Sequence, residues 1–527
     1  MVTPDTVSTA RSHGLADLLR RSATRFPDKT ALVTPDTALT FDKLDGLVDH
    51  VAAALDERGL HKGGRLAILS RNNWQFVVAA YAAARCGVLL VPINFMLTAE
   101  EVAYILEHSQ ADGIIAGEEF CGTAQAALAQ IERTVHARAV IGDSSGVAGD
   151  SWENFDDWSL TAGAAPQVAV ADDEPIRIMY TSGTESRPKG VLLSSRSLVH
   201  SYLSVIVGGE MCAEDIDLHT MPLYHCAQLD CFLGPDIYLG ATSVVLPKPD
   251  PVAILTAIER HGVTKFFAPP TVWISLLRSP RFSDFDLTSL RKGYYGASSM
   301  PIEVLNEIRT RLPELRLWNL YGQTEMSPVA TILGPEEQES KAGSAGYPAL
   351  NVETAVVDEA GSSVPPGTVG EIVHRSPHLT LGYWRDDLKT VEAFRDGWFH
   401  SGDLGFFDDD GCLTVVDRKK DMIKTGGENV ASREVEEVIY QHPGVAEVAV
   451  FGVPHPKWIE AVCAAVVPRQ GATLDEETVA AHCSGRLAGF QTPKHVFIVE
   501  TLPKNPSGKI LKRELRNTFS ALLNHPE

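Results

Sequence analysis

The sequence predicts an α/β protein whose largely parallel sheets are layered with helices and are followed by a smaller α+β segment. Three observations carry that expectation. Short apolar runs such as "RLAIL", "GVLLVP" and "ATSVVLP" alternate with stretches of helical period through the first part of the chain. From about Gly343 the texture changes to short strands and turns. Past the basic run "DRKKD" comes a segment of roughly domain size in which helix and strand signals again alternate.

Taken in order, "LTFDKLDGLVDHVAAALDERGL" places Leu44, Leu47, Val48, Val51 and Leu55 on one helical face, with Thr40 as N-cap and Gly59 as the stop. "FVVAAYAAARCGVLLVPINFML" is the longest apolar stretch. Arg85, Gly87, Pro92 and Asn94 interrupt it, so it reads as a buried helix followed by a strand rather than a membrane span. Thr98 and Glu101 form a capping box that opens a helix with Val102, Ile105 and Leu106 on its apolar face. "VVDEAGSSVPPGTVGEIV" reads as two strands joined by a Gly/Pro-rich turn. In the last segment "SREVEEVIYQHP" and "LDEETVAAHCSGRL" are helices, and "VAEVAVFGV" and "AVCAAVVP" are strands. A domain boundary is placed at Asp417 to Asp421, giving a large domain over 1–417, a connector at 418–421 and a small domain over 422–527.

With 527 residues, two or more domains and a large core are expected. The 46 Lys+Arg against 68 Asp+Glu give a net charge of -22, which opposes non-specific binding to nucleic acid or to anionic membrane. Small molecules are therefore the expected partners. The N-terminus lacks the apolar core of a secretory signal, so a cytoplasmic protein without integral membrane association is expected. Its eight cysteines contain no CxxC pair and read as reduced, mostly buried thiols. Whether the chain is a monomer or a homodimer is not legible.

Five short stretches carry chemistry. "YTSGTESRPKGV", from Tyr180 to Val191, supplies Thr181, Ser182, Gly183, Thr184, Lys189 and Gly190, the backbone N–H groups, hydroxyls and cation that a phosphate requires. A Walker A loop would need Gly-Lys-[Ser/Thr] running into a helix, whereas Lys189 is followed by Gly190 and the strand-like "VLL". A polar surface turn is the competing account. "WNLYGQTEMSP" sets the ring of Tyr321 beside Thr324 and Glu325, one face for a nucleobase and one hard carboxylate for Mg2+. "GWFHSGDLG" puts Asp403 in a glycine-flanked turn, where a carboxylate can accept from two ribose hydroxyls. "DRKKDMIKTGGENV" adds Arg418 and Lys424, and "PKNPSGKILKREL" mounts Lys509 on a Pro/Gly turn. Each alone also has a plain account as core, turn or solvated charge.

In this order, the five stretches resemble the adenylate-forming superfamily of acyl-CoA synthetases, firefly luciferase and peptide-synthetase adenylation domains. The resemblance spans nearly the whole chain. It implies a large N-terminal domain of two α/β sheet subdomains plus a small β-barrel-like region, followed by a small mobile α+β lid domain. Carried over residue by residue, it implies that Thr181, Ser182, Gly183, Thr184 and Lys189 hold the ATP phosphates, and that Tyr321 stacks on adenine within Gly322, Gln323 and Thr324. Glu325, with Thr184, would hold Mg2+. Asp403 and Arg418 would grip the ribose, with Val415 near the base. Gly296, Ala297 and Ser298 would line the wall shared by acyl group and nucleotide.

The chemistry implied is adenylation of a carboxylic acid with release of pyrophosphate, then transfer of the acyl group to the thiol of coenzyme A. Lys509 would meet the charge developing on the α-phosphoryl oxygens. The small domain would then swing about Lys420, withdrawing Lys509, turning Lys424 to face the adenylate and bringing Gly426, Gly427 and Glu428 to the pantetheine arm of CoA. His225 matches a position lining the passage between the acyl and nucleotide sites, against a plain alternative as a core histidine. Relatives commonly have Thr-Gly or Ser-Gly where this loop has Glu185-Ser186, which leaves the orientation of Glu185 open. The chain ends 18 residues after Lys509 (527 minus 509), which favours free CoA over a fused carrier domain. A separate carrier protein or a nucleophile such as nitrite is the alternative acceptor. The acid is expected to be fatty or aromatic, with a slight preference for fatty.

Overall fold

The helices begin and end where capping residues stand. The computed structural model describes residues 10–11, 13–143, 152–181, 187–298, 300–505 and 508–524, the side chains of 521–524 excepted. Thr40 accepts the Lys43 N–H at 3.3 Å at the head of the helix Phe41–Glu57. Thr98 and Glu101 close a reciprocal capping box on Ala99–Ser109, with the Thr98 N–H donating to Glu101 Oε2 at 2.8 Å. Asn73 caps Trp74–Cys86, which stops at Gly87 in the left-handed region and leads into the buried strand Leu89–Pro92. The long apolar stretch is thus core, and among the described residues no helix is long and apolar enough to cross a membrane.

Among the described residues the strands form four sheets. One has nine strands, with a parallel centre running Arg316–Tyr321, Lys292–Gly296, Lys265–Phe267, Ile216–His219, Thr242–Val245 and Thr30–Val33, and antiparallel edges. A second has eight strands, parallel from Pro175–Thr181 through Leu89–Pro92, Arg65–Leu69, Gly113–Gly117 and Ala137–Ile141 to Glu153–Asn154. Its other edge is antiparallel, Lys189–Ser194 and then Gly382–Tyr383. The expected α/β layering of two largely parallel sheets is therefore present, with ligand sites expected at the carboxyl ends of the strands.

The third sheet, of five antiparallel strands from Glu353–Val357 to Leu413–Arg418, is the strand-rich region read from about Gly343. The fourth, built from Ile423–Thr425, Glu428–Val430, Val445–His455, Ile459–Pro468 and His495–Ile498, belongs to the C-terminal domain. One sheet ends at Arg418 and the next begins at Ile423. Buried Ile423, Val435 and Ile439 lie in one apolar cluster with Trp273, Leu277 and Tyr294, so the small domain packs against the large one.

The eight cysteines are free thiols, seven of them buried and Cys212 half-buried, as their spacing led one to expect. Gly346 joins the nine-stranded sheet to the third: its carbonyl accepts the Leu413 N–H at 2.8 Å, its φ is 83°, and a Cβ there would lie 2.2 Å from the Ile332 carbonyl oxygen. Gly346→Ala is therefore expected to destabilise the fold by at least about 1 kcal/mol. An unchanged unfolding temperature in calorimetry would contradict this close approach.

Candidate active site

Three strands bring Tyr321, Asp403 and Arg418 together. Tyr321 ends Arg316–Tyr321, Asp403 lies within Trp398–Phe407 and Arg418 ends Leu413–Arg418. Asp403 and Arg418 are direct partners across the antiparallel pair, with Arg418 Nε 3.1 Å from Asp403 Oδ1. Tyr321 Oη donates to Asp403 Oδ2 at 2.8 Å, so both carboxylate oxygens of this 4 % exposed residue are engaged. The turn expected around Asp403 is not found: the residue sits inside a strand, at a kink. Gly402 has φ 71° and the register shifts between Leu404 and Gly405. A Cβ on Gly405 would stand 2.4 Å from the Thr414 carbonyl, so that glycine serves close strand approach rather than chain reversal. Burial, with Asp403 beside it, pushes the Tyr321 hydroxyl far up, which keeps it a donor. Burial works against the Arg418 charge, and Asp403, Glu325 and Tyr321 outweigh it. Val415 packs in an apolar group with Tyr321.

Thr181 and Lys189 are partners at the mouth of the antiparallel pair Pro175–Thr181 and Lys189–Ser194. Lys189 opens a strand, and the helix Ser195–Gly208 starts only after it, so the Walker reading falls. Ser182, Gly183, Thr184 and Glu185 lie outside the described residues. Beyond them the Arg187 guanidinium is 5.1 Å from the Tyr104 ring centre.

Gly322 allows the turn that presents Thr324 and Glu325, since a Cβ there would meet the Pro328 carbonyl at 2.0 Å. Gln323 Nε2 donates to the Ser401 carbonyl at 3.4 Å, and Thr324 Oγ1 is 3.3 Å from Cys226 Sγ. Glu325 Oε1 accepts from Tyr383 Oη at 2.9 Å, and Lys189 Nζ lies 5.3 Å from the centre of the Tyr383 ring. Tyr383 thereby links the phosphate strand to the carboxylate. No local pattern marks it, because the contact spans 58 residues and rests on the edge pairing of Gly382–Tyr383 with Val191 and Leu192. Gly296 ends its strand where a Cβ would meet the Leu320 carbonyl at 2.4 Å, and Ala297 (φ 63°) and Ser298 follow it, exposed.

His225 caps Cys226–Gln228, its Nδ1 accepting the Ala227 N–H at 3.1 Å. Burial and the Lys509 charge bring its pKa down to about 4, so the ring is neutral with its proton on Nε2. Two buried ion pairs fix the segment that follows. Asp230 pairs with Arg177 of the phosphate strand, and Asp236 Oδ1 lies 2.5 Å from Lys265 Nζ. Asp217, His219 and Asp236 bring ligand-type atoms within 4.8 Å of one another. The Lys265 ammonium, 3.2 Å from Asp217 Oδ2, already supplies their counter-charge, so this cluster is not read as a metal centre.

Lys509 and Asn505 clasp each other's backbone, Asn505 N–H to Lys509 O at 2.9 Å and Lys509 N–H to Asn505 Oδ1 at 2.8 Å. Gly508 rests on the large domain, its carbonyl accepting from Thr271 Oγ1 at 3.4 Å. Its φ is 81° and a Cβ would stand 2.5 Å from that hydroxyl, so only glycine fits. Lys509 keeps part of its side chain exposed while its ammonium end is set among Arg418, Asp403 and Lys420. The Arg418 charge, then burial, bring its pKa down to about 8. Burial and the charges of Arg418 and Lys189 likewise lower Lys420. Four cations thus act on one cleft beside Asp403 and Glu325. The exposed hairpin of Lys424, Gly426, Gly427 and Glu428 is not brought there. Its Lys424 and Gly426 N–H groups go to Glu460 Oε2 and the Trp458 carbonyl, at 2.7 and 2.8 Å, within the small domain.

The recognition of this chain rests on comparison with known proteins. The chain belongs to the AMP-binding enzyme family, matched over residues 19–384, with the AMP-binding enzyme C-terminal domain matched over 434–509. A feruloyl-CoA synthase of an Amycolatopsis species is 35% identical over 509 residues, covering 97% of this chain and 100% of that protein. A long-chain-fatty-acid–CoA ligase of Mycobacterium tuberculosis is 34% identical over 517 residues, covering 96% and 98%. The crystal structure of an anthranilate CoA ligase in complex with anthranoyl-AMP matches with a TM-score of 0.90 at 26% identity, covering 98% of this chain and 100% of that one. Within the family the protein is an acyl-CoA synthetase, an AMP-forming acid–thiol ligase.

Asp403→Asn keeps the shape and loses the charge that Arg418 and Tyr321 share. The KM for ATP is expected to rise roughly 10- to 100-fold, the worth of a charge-assisted hydrogen bond, and an unchanged KM would remove Asp403 from the nucleotide site. Lys509 carries its charge only below about pH 8, so kcat/KM for ATP in acyl-adenylate formation is expected to fall as pH rises through that value. Lys509→Arg should move this limb out of the accessible range. A limb that persists in the arginine variant belongs to another group.

Proposed function

We propose that the enzyme joins a fatty or aromatic acid to coenzyme A in two steps, with the small domain turning between them. The observation that carries this reading is the gathering of Lys189, Arg418, Lys420 and Lys509 around one cleft with Asp403, Glu325 and Tyr321. In the first step the acid's carboxylate oxygen bonds to the α-phosphorus of ATP and pyrophosphate leaves. Two anions meet there, so cations aimed at the phosphoryl oxygens supply the main stabilisation. Lys509 takes that place, Thr181 and Lys189 flank the phosphates, and Tyr321, with Val415 behind it, covers the adenine. Asp403 and Arg418 hold the ribose. The carboxylate of Glu325 is a hard oxygen donor suited to Mg2+, which would neutralise phosphate charge, and the hydroxyl of Thr324 would meet a phosphate oxygen. His225, neutral with Nε2–H, offers a donor beside the reacting carboxylate without adding charge.

In the second step the CoA thiol, losing its proton, bonds to the acyl carbon and AMP leaves. The hinge is assigned to Lys420 within 418–421. Its two neighbours support this. Lys419 is held by the large domain, its N–H to the Gly402 carbonyl at 3.0 Å and its Nζ 3.4 Å from Glu371. Asp421 lies 3.6 Å from Arg516 of the small domain. Rotation there would exchange Lys509 for the Lys424 hairpin, whose Gly426 and Gly427, both of positive φ, leave room for a narrow thiol arm.

Lys509→Ala is expected to lower acyl-adenylate formation by about 10²- to 10³-fold while transfer from preformed acyl-AMP to CoA continues. Lys424→Ala should do the reverse. Equal loss in both steps would contradict two working arrangements. A panel of fatty and aryl acids, read by pyrophosphate release and product mass with CoA, holo-carrier protein and nitrite, identifies acid and acceptor. If no acid yields a CoA thioester, the ligase reading fails.

A further inference from the structure

The helix Ser432–Tyr440 of the small domain lacks a cap of its own. Ala431 occupies its N-cap position and has no oxygen to offer. The missing acceptor comes from the large domain. Asp417 Oδ2 takes the Ser432 N–H and the Ser432 hydroxyl, both at 2.7 Å, and so also sets a negative charge at the positive end of the helix. The next residue completes the contact. Arg433 Nη1 donates to the Val415 carbonyl at 2.5 Å and Nη2 to the Gly343 carbonyl, two acceptors on the large domain. Within the small domain, Lys512 Nζ braces Ser432 Oγ at 2.6 Å and Glu436 at 2.8 Å.

Resting on the two-step reaction proposed above, we infer that Asp417, Ser432 and Arg433 form a latch that holds the small domain in the adenylate-forming arrangement. The chemistry of the contact suits a reversible catch. Arg433 gives up water for two neutral carbonyls rather than for a carboxylate, so its gain is partly offset by its burial, which also lowers its pKa. The helix regains a water cap when the domain leaves. Val415 and Asp417 lie on the same strand as Arg418, three positions and one position before it, so the latch reads the strand that bears the ribose-side arginine. Arg433, Ser432 and Asp417 are positioning residues: the contacts described for them are with one another, with backbone and with Lys512, and they act through the placement of Lys509.

The test is Arg433→Met, which keeps the aliphatic stem and drops the guanidinium, with Ser432→Ala beside it. In single turnovers the arginine variant should form acyl-AMP about tenfold more slowly, as a tenfold smaller docked population requires. Transfer from preformed acyl-AMP to CoA should stay as fast as in the wild type or become faster. Energy transfer between probes on the two domains, measured without substrates, should report a smaller docked fraction in both variants. Equal slowing of both steps, or a docked fraction identical to the wild type, overturns the latch. Should the wild type itself fail to pass the acyl group to CoA, the proposed function fails while the docked fraction still decides the latch.

Discussion

The carboxylate of Asp403 is the interaction on which the rest of the site depends. It is buried between three strands and shared by a tyrosine hydroxyl from the nine-stranded sheet and a guanidinium from the next strand of its own sheet. A buried carboxylate is tolerated only when its oxygens are answered, and each answering group is thereby fixed in turn. Tyr321 is held by its hydroxyl to that anion while its ring packs against the apolar groups of the third sheet. Arg418 is held at the last residue before the connector. The end of the strand Arg316–Tyr321, the third sheet and the start of the segment 418–421 are therefore one electrostatic unit.

Around that anion the chain solves a problem of charge. Its net charge is -22, yet the reaction brings together two anionic substrates. The cations are accordingly local: Lys189 from a strand end, Arg418 and Lys420 from the connector, Lys509 from the small domain. The Arg418 charge is the main cause of the lowered pKa of Lys509, and for Lys420 it adds to burial. Such a cluster of like charges is costly, and an anion drawn among them relieves the repulsion. Because Lys509 rides on a separate domain, that relief is available only while the domain is docked.

The floor of the cleft is held differently. The segment after His225 runs between the two large sheets, and Asp230 ties it to Arg177 of one while Asp236 ties it to Lys265 of the other. Buried ion pairs of this kind contribute little net stability and much register, since removing either partner strands a charge. His225 is therefore placed relative to the strand Pro175–Thr181 by buried charges that follow it in the chain. The latch at Ser432 and Arg433 differs in kind, because it spends charge on backbone carbonyls and so can let go.

By itself the sequence determined the local and the periodic. Caps at Thr40 and Thr98, the buried helix and strand in the long apolar stretch, the strand after Lys189 and the order of the five motifs were all legible, since each depends on neighbours a few residues away. Glycines were read less surely. Those around Asp403 suggested a turn, but one admits a kinked strand and the other lets two strands approach closely, a distinction set by Thr414 across the sheet. Only the tertiary structure decided that Tyr383 holds Glu325, that Asp417 caps a helix of the other domain and that Lys509, rather than the Lys424 hairpin, lies beside Arg418 and Asp403. Those contacts join residues far apart in sequence through sheet edges and domain docking. Single-residue patterns carry no information about such pairings, because what selects them is the burial of charge in a particular three-dimensional neighbourhood.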